Sequence, residues 1–258
     1  MLSAKPEFRL FGGPNGSGKT HIFQVFKEKG IIHTEIYVNA DGIEAQMKSS
    51  RKFSFNAYRV KVGDAGFKAH IKASGLFQKK IKNTSFIDHF QLKAGVLRIS
   101  PSVEINSYHA SFIASYLVER LFETKQSFAF ETVMSHESKI NLLQITSLHG
   151  YKTYFYFVFT DSIDTNIIRV KLRVLGGGHD VNKKAIQERA VRTFQLMPDA
   201  FIAADTAFVI DNSNEAVAIL SKERGSIKIS SKIPDNISSS VQKVVDSCSK
   251  EYMVKIEN

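Results

Sequence analysis

The stretch Phe8-Arg9-Leu10-Phe11-Gly12-Gly13-Pro14-Asn15-Gly16-Ser17-Gly18-Lys19-Thr20-His21-Ile22-Phe23 decides the fold. A brief, mainly apolar run ends in glycines, and beyond Gly18 the apolar Ile22, Phe23 and Phe26 recur at helical spacing until Gly30 stops them. The order is strand, loop, helix. Gly13 and Gly18 are separated by four residues and followed by Lys19 and Thr20. Glycines let a chain curl until successive backbone N–H groups converge on phosphate oxygens, and the helix N-terminus adds partial positive charge. Lys19 then reaches the β and γ phosphates of ATP or GTP, and the Thr20 hydroxyl meets the magnesium ion that accompanies them. Gly13, Pro14, Asn15, Gly16, Ser17, Gly18, Lys19 and Thr20 are therefore the candidate nucleotide-binding residues. A chance match in a chain of this length arises on the order of once in a hundred sequences, so a glycine turn without a ligand is the weaker reading.

Working outward, Ile36 to Ala40 reads as a second strand ending at Asp41, with a helical Ile43 to Met47 behind it. Further strands are expected at Ser127 to Phe130, Thr153 to Thr160 and Thr206 to Asp211. Helices are expected over Ser107 to Phe122, Lys139 to Leu148, Asp164 to Leu175 and Lys183 to Leu196. The unbroken aromatic run before Thr160 has the character of a strand buried on both faces. This alternation predicts an α/β fold of the P-loop kinase type, a mostly parallel sheet with helices on both faces. Residues 50–105 are basic, aromatic and scattered with glycine, and read as an insertion with small elements of its own. The expected organisation is a core over 1–215, with a helical lid over about 169–193. A Ser- and Lys-rich extension over 216–258 would hold a hairpin or edge element near Gly225 to Ser231.

Composition narrows the function classes. One cysteine, Cys248, can close no internal disulfide, and no two histidines stand three or four apart, so a disulfide scaffold and a helical zinc motif are excluded. The start carries no signal-peptide pattern and the longest apolar run is too short to cross a bilayer, so a cytoplasmic protein without membrane association is expected. The formal charge of +10 favours polyanionic partners, nucleotides or nucleic acid, although the basic residues are spread along the chain as on an ordinary soluble surface.

A kinase must also take a proton from its acceptor and neutralise charge on the transferred group. Asp41, at the carboxyl end of the second strand, is placed to act as that base, or else to cap the helix behind it. Glu131 and Thr132 close the third strand, where ligands bind in open α/β sheets; they are candidates for substrate or magnesium contact, the alternative being a solvated strand end. Arg169 and Arg173 lead into Gly176-Gly177-Gly178-His179-Asp180, and Arg189 and Arg192 follow on the next helix. Two arginine-bearing helices about a glycine hinge suit a closing lid, because guanidinium forks neutralise a phosphoryl group in transit. The bland alternative pairs them with Asp161, Asp164 or Glu188. His179 reads as a lid or loop-ordering residue.

Taken in order, the loop Gly13 to Thr20, Val38-Asn39-Ala40-Asp41, Phe128-Ala129-Phe130-Glu131-Thr132, Gly150-Tyr151, and Arg169 through His179-Asp180-Val181 resemble the zeta toxin family of P-loop kinases, in particular its stand-alone bacterial branch. The resemblance covers about residues 8–212. It implies transfer of the γ phosphate of ATP to the 3′-hydroxyl of UDP-N-acetylglucosamine, and a small antitoxin protein as partner. By position, Lys19 matches the phosphate-loop lysine, Asp41 the acceptor-activating aspartate with Asn39 beside it, and Glu131 with Thr132 the substrate contact. Arg173, with Arg189 or Arg169, matches the lid arginines. Asn182 stands where members carry proline, and Arg189-Ala190 where they carry Arg-Tyr. Two other readings remain open: a kinase of another hydroxyl, such as a dinucleotide ribose or an antibiotic, and a nucleotide-switched ATPase that binds nucleic acid. The second is disfavoured because no aromatic-basic nucleic-acid signature is present.

Overall fold

The computed structural model describes residues 5–75, 90–176, 178, 181–248 and 252–257. Its contacts divide the chain into one unit of residues 1–35 with 129–258 and a second of residues 36–128.

The first unit is built on β1 (Glu7–Gly12), β6 (Phe128–Thr132, at the boundary), β7 (Lys152–Phe159), β8 (Thr206–Asp211), β9 (Val217–Glu223), β10 (Ser226–Ser230) and β11 (Met253–Glu257). These belong to an eight-stranded sheet and follow the order β11-β10-β9-β8-β7-β1-β6 within it. Pairing is parallel from β1 through β7 to β8, with Glu7 opposite Lys152 and Tyr154 opposite Thr206, and antiparallel from β8 to β10. Helices α1 (Lys19–Glu28), α5 (Ser138–Leu148), α6 (Ile163–Leu175), α7 (Lys183–Ala203) and α8 (Asp235–Cys248) accompany these strands. The sheet's core is aromatic, with Phe8, Phe11, Phe155, Phe157 and Phe159 fully buried. The run 153–160 is thus the doubly covered strand that its composition predicts. Arg9 interrupts the apolar run of β1, yet it too is buried. Its guanidinium donates to Thr34 Oγ1, to the Tyr156 hydroxyl and, at 2.6 Å, to Glu7 Oε2. Burial pushes the Tyr156 phenol up to about 12, so it stays a neutral acceptor for that cation.

Two elements exceed their sequence reading. Helix α7 runs on to Ala203 through Pro198, whose ring nitrogen cannot donate to the Phe194 carbonyl four residues back. The hydroxyl of Ser240 on α8 donates to that carbonyl instead, at 3.1 Å. The segment after Asn214 is ordered as well: β9 and β10 form a hairpin whose turn, Arg224-Gly225, has positive φ at both residues, the arrangement that matches strand twist. Helix α8 then buries Ile237, Val241, Val244 and Cys248 on one face, and β11 pairs in parallel with β10.

The second unit holds β2 (Ile36–Asn39), α2 (Ala40–Ser50), α3 (Asp64–Ala73) and α4 (Ser107–Glu123), with a small antiparallel sheet of β3 (Lys52–Ser54), β5 (Val96–Ile99) and β4 (Phe90–Lys93) in that order. Phe53, Phe55, Phe67, Phe112 and Tyr116 pack edge to face with ring centroids 5.0–5.9 Å apart. Of the scattered aromatics in residues 50–105, Phe53, Phe55, Phe67 and Phe90 are thus buried as part of a core, while Phe77 and Phe86 lie outside the described residues. Arg51, at the end of α2, donates to the Ser100 and Val103 carbonyls and ties the helix to the loop beyond β5. No helix among the described residues is long and apolar enough to cross a membrane.

Candidate functional site

Because β1, β7 and β8 run in parallel and in register, their carboxyl ends lie side by side, and the loops leaving them meet around residues 13–20. The loop is walled closely on three sides. A Cβ on Gly13 would lie 2.0 Å from the Val158 carbonyl oxygen, on Gly16 2.3 Å from the Asn166 carbonyl oxygen, and on Gly18 2.3 Å from the Asn212 side-chain nitrogen. Gly16 and Gly18 also hold φ of +79° and +90°, a region in which a side chain is strained. Gly18 then caps α1, so the first free N–H groups of the helix open onto the loop.

Within that cradle Lys19 is buried, and its ammonium donates to the carbonyls of Gly13 at 3.0 Å and Pro14 at 2.8 Å, folded back across its own loop. Glu131 Oε1 is 4.0 Å from the same nitrogen, while Thr20 Oγ1 donates to Glu131 Oε2 at 2.7 Å. The strand-end carboxylate predicted at 131 thus accepts from Thr20 and lies 4.0 Å from the Lys19 ammonium, the two side chains that end the glycine-rich loop. Ser17 Oγ and Asn15 Oδ1 are buried and have no hydrogen-bonding partner among the described residues. An unmet buried polar atom costs about 1–3 kcal/mol, and a phosphate oxygen is a fitting acceptor for a serine hydroxyl.

Three residues that sequence reading passed over hold this arrangement. Asn212, one position past β8, continues the ladder by donating its N–H to the Phe159 carbonyl, and its side-chain amide donates to the Ser17 carbonyl at 2.8 Å. Asn166 is buried in α6, with its side-chain oxygen accepting from Thr160 Oγ1 at 2.8 Å. Ser213 accepts from the Asp161 N–H through its hydroxyl. The available signal was the cluster of short polar residues Asp211-Asn212-Ser213-Asn214 just past a strand.

Of the predicted lid residues, Arg169 sends one guanidinium nitrogen to the Asn212 carbonyl and another to the Ser213 carbonyl, each at 3.0 Å. Arg173 and Arg189 are half-buried and Arg192 is exposed. Helices α6 and α7 pack through Ile167, Val170 and Ile186, so the two arginine-bearing helices do associate. His179 lies outside the described residues, and Gly178 folds back to donate its N–H to the Arg173 carbonyl. On α5, Lys139 places its ammonium 5.0 Å from the Phe130 ring centre, and burial lowers its pKa below the ordinary lysine value.

In the second unit Asn39 is the cap of α2, its side chain accepting from the Asp41 N–H at 2.8 Å. Asp41 therefore stands in the first helical turn, half-buried, with the cap supplied by its neighbour. Thr132 Oγ1, back in the first unit, accepts from the Met134 N–H.

No protein-family model and no curated protein matches the sequence. Solved structures do match in shape. A chain of the AvrRxo1-ORF1:-ORF2 complex with ATP aligns with a TM-score of 0.55 at 13% identity, over 94% of this chain and 64% of that one. The native AvrRxo1-ORF1:-ORF2 complex gives 0.57 at 14%, over 95% and 66%. The PezAT chromosomal toxin-antitoxin system of Streptococcus pneumoniae gives 0.43 at 15%, over 84% and 72%. The chain thus spans a little under two thirds of the length of the two AvrRxo1 chains. The fold is α/β and P-loop kinase-like, with a mostly parallel sheet flanked by helices and the glycine-rich loop of residues 13–20 between β1 and α1.

Proposed function

We propose that the protein is an ATP-dependent phosphotransferase acting on an alcohol. The observation that carries this reading is the cluster at the loop's end, where the Glu131 carboxylate stands 4.0 Å from Lys19 Nζ and accepts from Thr20 Oγ1 at 2.7 Å. A triphosphate laid along the loop would draw Lys19 from the Gly13 and Pro14 carbonyls onto its β and γ oxygens. Backbone N–H groups and the Ser17 hydroxyl would meet the remaining charge. Thr20 and Glu131, a hydroxyl and a carboxylate in contact, are a suitable oxygen pair to hold hydrated magnesium. That ion would neutralise charge between the β and γ phosphates.

Asp41 takes the acceptor's proton as its oxygen forms a bond to the γ phosphorus, and the bond from that phosphorus to the β-side oxygen breaks to release ADP. Arg173 and Arg189 supply positive charge to the phosphoryl group in transit, and Asn39 and Thr132 border the acceptor. ATP is favoured as donor by the likeness to a chain crystallised in a complex with ATP. The family resemblance favours the 3′-hydroxyl of UDP-N-acetylglucosamine as acceptor. A small antitoxin protein is the proposed partner, in keeping with the two-protein complexes among the similar structures.

The test is to offer γ-labelled ATP with UDP-N-acetylglucosamine, a dinucleotide and a panel of other alcohols, and to identify the product by mass spectrometry. Phosphorylated UDP-N-acetylglucosamine is the expected result. Label on another alcohol would keep the kinase and discard this acceptor, and ATP hydrolysis that yields no phosphorylated alcohol would discard the kinase.

A further inference from the structure

We infer that Asn212 and Arg169 form a latch holding the phosphate loop in its gripping shape, which makes them positioning residues for the nucleotide. The inference rests on the nucleotide reading above. Residues 17 and 212 are joined by a hydrogen bond from the Asn212 amide to the Ser17 carbonyl at 2.8 Å, and nothing in the local sequence of either loop would create it. The amide is itself immobilised. Its backbone N–H is tied to β7 through Phe159, and its own carbonyl receives Arg169 at 3.0 Å. Arg169 takes the Ser213 carbonyl with a second nitrogen, so the planar fork spans two consecutive peptide units and fixes their orientation.

The latch acts where loop shape matters most. Ser17 lies between Gly16 and Gly18, both with left-handed φ, and its carbonyl must point away from bound phosphate for the neighbouring N–H groups to point toward it. An oxygen turned into the cradle would oppose an anion. By accepting from Asn212, the Ser17 carbonyl is held outward. The same close approach accounts for glycine at 18, where a Cβ would strike the Asn212 amide. Helix α6 adds a second brace, since the Asn166 carbonyl abuts Gly16 and Arg169 stands one turn further on. Arg169 is thereby committed to holding the backbone carbonyls of Asn212 and Ser213.

The test is calorimetric titration with magnesium-ATP of the wild type and of Asn212→Asp, Asn212→Ala, Arg169→Ala and Arg169→Lys. Each is measured well below its own melting temperature. Asn212→Asp keeps the shape and replaces a donor by an acceptor that repels the Ser17 carbonyl, so Kd should rise about tenfold or more. Asn212→Ala and Arg169→Ala should raise it several-fold, and Arg169→Lys, which keeps one donor, should recover part of that loss. A purely structural role would lower melting temperature and leave the Kd of the folded protein unchanged. Variants that bind within about twofold of wild type, by the same energy scale, overturn the latch whatever their melting temperatures. A wild type that fails to bind overturns the nucleotide reading itself, and this inference with it.

Discussion

Gly18 combines a φ of +90° with an Asn212 nitrogen only 2.3 Å from where a Cβ would stand, so Gly18→Ala meets strain and collision together. Left-handed strain alone costs about 1–2 kcal/mol. The variant should therefore melt lower and lose magnesium-ATP affinity, as thermal melting with and without nucleotide would register. Asp41→Asn makes the opposite kind of change. Its N–H still reaches the Asn39 cap, so α2 should fold and nucleotide should bind as in wild type. Acceptor phosphorylation should fall about a hundredfold or more, the size expected for a lost general base. Undiminished turnover in a steady-state assay would remove Asp41 from the mechanism. The place and shape of the loop over residues 13–20 were legible because the glycines that shape it are close together in the chain. The Glu131 contact was half-legible, since strand ends mark the ligand side of such sheets. The roles of Asn212, Asn166 and the Arg169 fork were not, because each depends on a backbone carbonyl brought close by strand register.

The helices carry their own tests. Pro198 is tolerated within α7 because Ser240 satisfies the carbonyl that it strands, so Ser240→Ala should cost about 1 kcal/mol in chemical denaturation. Paired with Pro198→Ala, which restores a donor within the helix, the loss should shrink. At the start of α4, the Asn106 N–H donates to His109 Nδ1 while the Asn106 side chain accepts from the His109 N–H, a reciprocal cap that needs the imidazole neutral. Burial holds the pKa of His109 at about 4, below its ordinary 6.5. The folded state therefore binds a proton less readily than the unfolded one. The stability this gives is fully present above about pH 6.5 and is lost as pH falls toward 4, by roughly 1–2 kcal/mol once solvent screening is allowed for. Urea titrations across that range should show the loss in wild type and a flatter profile in His109→Gln. Most core helices and strands could be placed from periodicity. Helix α8 could not, because Ser238-Ser239-Ser240 dilutes a sound pattern of Ile237, Val241, Val244 and Cys248. The small sheet of β3, β4 and β5 was hidden because its strands are three or four residues long, too short for alternation to register.

Across the whole molecule, the formal charge of +10 is carried on a mostly parallel α/β fold, and the triphosphate proposed above is one anionic ligand that such a charge would favour. If phosphoryl transfer is the function, RNA and DNA should bind only in a salt-sensitive way that fades by about 200 mM salt and leaves turnover unchanged, as a filter-binding series would reveal. The site draws on residues 13–20, 131, 166 and 212, spread over most of the chain, and parallel register makes the first unit's loops converge. The most direct measurement is calorimetric titration of correctly folded protein with magnesium-ATP and magnesium-GTP, alongside Lys19→Ala. Saturable one-site binding of at least one triphosphate, weakened at least tenfold without the Lys19 ammonium, is the predicted result. Absence of binding by either triphosphate to the wild type would contradict the account at its foundation.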